Sequence, residues 1–195
     1  MIKSMINFRN LSAIIIDPDE HSRAMVSEML RSAGIELQVL VANASEAMDF
    51  LLRGGIDLCI LESTLPDMSG FDAVRAIRRV KNLHVRSLSV IVMVGRINSE
   101  TVAHARDSGA NSIVKKPISP RSLFDRIAWC LKNDRAFIEC ETYVGPDRRF
   151  KSIGPPNGIG RRKTDRPPEI SGDIKPDISQ DECDALLTPT KIATS

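Results

Sequence analysis

A chain of 195 residues is long enough for one well-buried domain and some additional sequence. With 42% hydrophobic and 27% charged residues its composition is that of an ordinary globular protein, and a net charge of +2 gives the whole chain no bias towards nucleic acid or a membrane surface. The longest apolar runs, at 12–16 and 88–94, are too short to span a bilayer, no signal peptide opens the chain, and four cysteines without a Cys-x-x-Cys pair suit a reduced cytoplasmic protein.

Strand-like and helix-like segments alternate from the start. An apolar run at 13–16 predicts a strand ending at Asp17; Asp19 is placed to cap the following helix and Gly34 to end it. A second strand is predicted over 37–42. Asn43 and Glu46 have capping-box spacing and open a helix towards Leu52, which Gly54-Gly55 breaks. A third strand, 58–61, leads into Glu62 and then a helix over 71–80. The run 88–94 predicts a fourth strand, 99–108 a polar helix closed by Gly109, and 112–114 a fifth strand. Ser119-Pro120 is a strong helix start, with a last helix to about Asn133 or further.

Five strands alternating with five helices predict an α/β fold: a flavodoxin-like, doubly wound, five-stranded parallel sheet, (βα)5, covered on both faces. Sites in such folds lie at the carboxyl ends of the strands near the switch point, which here brings forward Asp17, Glu62, Val94 and Lys116.

The composition changes after about Tyr143. Seven of the eleven prolines lie in 146–195, and Phe150 is the only aromatic of that stretch. Such a segment buries too little apolar surface to fold alone and is expected to be disordered. Its charge is polarised. Seven Lys and Arg face Asp147 and Asp165 within 146–166, whereas 167–195 carries six acids against Lys175 and Lys191. Gly145-Pro146-Asp147-Arg148-Arg149 and Gly158-Ile159-Gly160-Arg161-Arg162 are two weak copies of a Gly-x-x-Arg-Arg unit. The predicted organisation is an N-terminal segment 1–11, a folded body 12–133, a helix extension with a Tyr-x-Gly-Pro-Asp-Arg-Arg segment over 134–149, and a disordered tail 150–195.

Several motifs occur in a fixed order: Asp17 at the end of the first strand, Leu65-Pro66-Asp67-Met68-Ser69-Gly70 after the third, Gly109-Ala110-Asn111-Ser112 before the fifth and Lys116-Pro117 after it. Together they resemble the receiver domains of response regulators, the CheY-like family, over roughly residues 12–132. The resemblance implies an acyl-phosphate site built from an acidic pair, an acceptor Asp, a Ser or Thr and a Lys, with a divalent cation and a cis Lys–Pro bond.

This chain departs from that pattern. Asp17 matches the first acid, but Pro18 occupies the second position and cannot bind metal. Asp19 lies one residue further on, where helix capping is its simpler role. Glu62 replaces the acceptor Asp, Val94 stands where the hydroxyl is expected, and Ile113 where an aromatic switch is usual; Lys116 alone matches fully. Either Glu62 pairs with Lys116 and imitates a phosphorylated Asp, or the site has decayed and Glu62 is merely tolerated. Both fit a non-phosphorylatable pseudo-receiver that is not an enzyme, needs no cofactor or metal, and acts as an adaptor for a protein partner of a two-component or chemotaxis-like pathway. The family's partner face corresponds to 99–108, 112–114 and 120–132. The alternatives are an atypical receiver still phosphorylated by a histidine kinase, and weak, salt-dependent nucleic-acid binding through the basic tail.

On the last helix, Leu123, Phe124, Ile127 and Leu131 are predicted to share the buried face. This puts Trp129 roughly opposite, as a candidate partner anchor or a residue covered by the C-terminal extension. Tyr143, Arg148 and Arg149 are further partner-binding candidates, and the Lys116–Glu62 pair is expected to be solvated. His21, His84 and His104 have no ligand spacing, and no Gly-x-Ser-x-Gly or phosphate loop points to another chemistry.

Overall fold

The computed structural model describes residues 8–132 and 136–147. Five parallel strands, β1 (Ser12–Ile16), β2 (Leu37–Val41), β3 (Leu58–Glu62), β4 (Ser89–Val94) and β5 (Ser112–Lys115), form one sheet in the order β2-β1-β3-β4-β5. The helices are α1 (Glu20–Ser32), α2 (Ala44–Arg53), α3 (Gly70–Arg79), α4 (Leu83–Ser87), α5 (Ser99–Ser108) and α6 (Pro120–Lys132). An antiparallel hairpin, β6 (Phe137–Cys140) with β7 (Tyr143–Pro146), follows.

The strands are apolar on both faces because both are covered. In β1, Ile14 and Ile16 enter the layer formed with α2, α3 and α5, while Ala13 and Ile15 enter the layer formed with α1 and α6. The helix starts are set by polar caps. Asp19 accepts from the His21 amide at 2.9 Å, Asn43 from Glu46 at 2.8 Å, Ser69 from Phe71 at 3.2 Å and Asn98 from Thr101 at 2.7 Å.

Three expectations are corrected. A short helix, α4, precedes β4, capped by Asn82 through the His84 amide at 3.0 Å. The expected helix extension in 134–149 is replaced, over its described residues, by the hairpin. The buried face of α6 carries Leu123, Ile127 and Cys130, whereas Leu131 is 39% exposed. A stripe spaced three and four residues apart takes in Cys130, and Leu131 falls beyond its edge. Trp129 flanks the stripe closely enough for its large ring to pack, half-buried, against the α1/α6 layer, where the opposite side of the helix was expected. The expected disorder of 150–195, and Arg148 and Arg149, lie outside the described residues.

Candidate functional site at the carboxyl ends of β1, β3 and β5

The strand order reverses between β1 and β3, so their carboxyl ends diverge into separate helices and leave a crevice there. Asp17 follows β1, Glu62 ends β3 and Lys116 follows β5. The backbone holds them in place. The Asp17 amide donates to the Val41 carbonyl at 3.2 Å, and the Lys116 amide to the Val94 carbonyl at 2.8 Å. Gly70 packs so tightly under β3 that a Cβ there would sit 2.2 Å from the Glu62 carbonyl oxygen. The loop between them is tied across to α2, because Asp67 accepts from the Ala44 and Ser45 amides at 3.1 and 2.9 Å. The Lys116–Pro117 peptide is cis.

Lys116 is the centre of the cluster. Its Nζ donates to Asp17 Oδ2 at 2.8 Å and to Ser22 Oγ at 3.2 Å, and forms an ion pair with Glu62 Oε2. Asp17 Oδ2 also accepts from the Ser22 hydroxyl at 2.6 Å, and its Oδ1 from the Asp19 amide at 2.9 Å. Glu62 Oε1 accepts from the Ser63 amide and hydroxyl at 2.7 and 2.8 Å. Side-chain exposures of 1% for Asp17, 13% for Glu62 and 28% for Lys116 shield the Asp17 side of the cluster, where a solvated site was expected, and leave the Lys116–Glu62 side partly exposed. The longer Glu62 side chain allows this, since it reaches Lys116 while staying bonded to its own strand end.

The electrostatics follow from these contacts. Burial pushes Asp17 upward, but the hydrogen bonds from Lys116, Ser22 and the Asp19 amide, with the lysine charge, hold it below its ordinary 3.8. Burial pushes Lys116 downward, but hydrogen bonds to Asp17 and Glu62 and their charges hold it above 10.5. Both groups are charged across the physiological range.

The other candidates separate. Val94 is buried beside the cluster without a polar group to offer. The Asp19 carboxylate is engaged as the α1 cap. Tyr143 is buried at the far end of the molecule, its hydroxyl donating to the Pro146 carbonyl at 2.6 Å, which removes it as a surface contact. Ser22 and Ser63 are participants that sequence reasoning missed. Ser22, five residues after Asp17 in the first turn of α1, carries a spacing signal that could have found it.

A divalent cation here would need two or more carboxylates with free oxygens. Both Asp17 oxygens and both Glu62 oxygens are engaged, Pro18 offers no side-chain ligand, and among the described residues no group of three or more His, Cys, Asp or Glu is arranged to hold a metal. The residues present do not fit such an ion.

Comparison with known proteins agrees with this architecture. The response regulator receiver domain model matches residues 13–128, more than half of the chain. The chain is 24% identical over 117 residues to the chemotaxis protein CheY of Pseudomonas aeruginosa, covering 60% of this chain and 93% of that one. It is 23% identical over 145 residues to the sensory/regulatory protein RpfC of Xanthomonas campestris, covering 74% of this chain but only 20% of the longer protein. Among solved structures, Vibrio cholerae CheY4 superposes with a TM-score of 0.57 at 22% identity, over 62% of this chain and 98% of that one. A BeF3-activated DrrB receiver domain gives 0.54 at 23% identity, over 63% and 98%. With the family model matching residues 13–128, the chain belongs to the response regulator receiver domain family.

Proposed function

We propose that this chain is a receiver that no longer accepts a phosphoryl group and serves two-component signalling as a protein–protein adaptor. The observation that carries the reading is the placement of Lys116 between Asp17 and Glu62. A cation that a phosphorylated receiver would turn towards the incoming phosphate is here already neutralised by two carboxylates. Val94 offers no hydroxyl to respond to a phosphate, and Pro18 no ligand for a metal. Glu62 keeps a single carboxylate beside Lys116 in place of the acceptor Asp. The partner surface in this reading is the face of α5, β5 and α6, with the chain after Asp147 as a tethered addition. Incubation with acetyl phosphate and Mg²⁺, read by intact mass, tests it. The expected result is no change. A hydroxylamine-sensitive gain of one phosphoryl group would overturn the reading. Glu62→Asp alone should not restore phosphate-dependent switching, because Val94 still lacks a donor.

A further inference from the structure

The hairpin of β6 and β7 closes over the end of the sheet opposite Lys116, where α3 and α5 finish. Arg78 lies beneath it, 1% exposed. Its Nε donates to the Gly109 carbonyl at 2.9 Å, one terminal nitrogen to the Arg86 and Leu88 carbonyls at 2.8 and 2.6 Å, and the other to Asn111 Oδ1 at 2.7 Å. Asn111 Oδ1 also accepts from the Val90 amide at 2.8 Å. One guanidinium thus ties the end of α3 to the end of α5, to α4 and to the residues just before β4 and β5.

The hairpin covers this tie at three points. The Phe137 ring lies 6.0 Å from Cζ of Arg78 and 5.4 Å from that of Arg86, and Glu139 pairs with Arg86 at 3.0 Å. Gly109, in the left-handed conformation at φ +89°, faces the Val144 carbonyl so closely that a Cβ would stand 2.8 Å from it. Tyr143 is buried against Gly145, and its hydroxyl bond to Pro146 closes the strand end on itself.

Two four-residue strands joined by Glu141-Thr142 do not hold together alone in water, so this hairpin exists only while docked. Its only large buried side chain among the described residues is Tyr143, with Phe137 37% exposed, which places it among the elements that open below the cost of global unfolding.

We propose that the hairpin is a releasable clamp: its undocking exposes the Arg78 tie to water and loosens the C-terminal end of α5, acting on the body from the end opposite the phosphoacceptor-like site. This goes beyond the unswitched-site reading and holds whichever way Glu62 behaves.

Native-state hydrogen exchange of the full chain under rising denaturant tests it. The amides of Ala110 and Asn111, which bond to the Ala105 and Val90 carbonyls, should open together with those of β6 and β7, before those of β1. In Tyr143→Ala, and independently in Phe137→Ala, exchange at Ala110 and Asn111 should rise by about tenfold or more while Ile14–Ile16 stay as protected as in the unmodified chain. Faster exchange confined to 137–146 would overturn the proposal, since the hairpin would then rest on a body that is rigid without it. An equal rise in β1 would also overturn it, since the hairpin would then open only with the whole domain.

Discussion

Lys116 reaches across the ends of β4 and β3 to place its Nζ 2.8 Å from Asp17 Oδ2, a contact between residues 99 apart in sequence. That contact joins the two ends of the receiver fold and fixes the charge state of the corner where these strand ends meet.

Removing Lys116 should therefore destabilise the protein. Lys116→Ala leaves Asp17 buried and charged with only Ser22 and an amide as partners, so a loss of about 2–4 kcal/mol is expected in urea unfolding. A loss below about 1 kcal/mol would match a solvated pair and contradict the shielding described above.

The same pair gives the stability a pH signature. The folded Asp17 ionises below 3.8, so as pH falls the unfolded chain takes up the proton first. Its contribution is complete above about pH 5 and is lost as pH falls through the folded value. Lys116 holds its proton above 10.5, so its contribution is complete below about pH 9 and is lost as pH rises through the folded value. Unfolding free energy should be flat between these limits, and Asp17→Asn should show a shallower acid limb than the parent. Equal limbs would remove Asp17 as the titrating group.

Truncation should separate the C-terminal segments. Ending the chain after Phe150 keeps the hairpin and should leave the melting temperature nearly unchanged. Ending it after Lys132 uncovers Arg78 and Gly109, and a loss of about 1–2 kcal/mol should lower the melting temperature by roughly 4–10 °C. A large drop from the first truncation would mean that the segment after Phe150 packs on the body.

Gly70→Ala should cost about 2 kcal/mol or more in urea unfolding, because the added methyl meets backbone rather than a yielding side chain. It should also disturb the Lys116 cluster, since the atom displaced is the Glu62 carbonyl. A stability within 0.5 kcal/mol of the parent, as is usual at unconstrained surface positions, would show that the loop gives way freely.

The five strands were legible because each is a short apolar run between polar caps, and the departures at Pro18, Glu62 and Val94 were visible as soon as the strand ends were placed. The hairpin was not, because Glu141-Thr142 carries no Gly or Asn to mark a turn; the aromatic and β-branched residues in 137–138 and 143–144 were its available signal. α4 was hidden because it is only five residues long, with Asn82 as its one strong cue. The shielding of Asp17 beneath Lys116 could not be read from residue types, since it depends on how closely three separate strand ends converge.

The central claim, that Lys116 holds Asp17 and Glu62 in a site that does not switch, is tested most directly by amide NMR spectra of the full chain before and after adding Mg²⁺ with beryllofluoride. The account predicts superimposable signals for Ser63, Val94 and Lys116. Saturable shifts at all three, spreading into α5, would show that the site still takes a phosphate analogue and would contradict it.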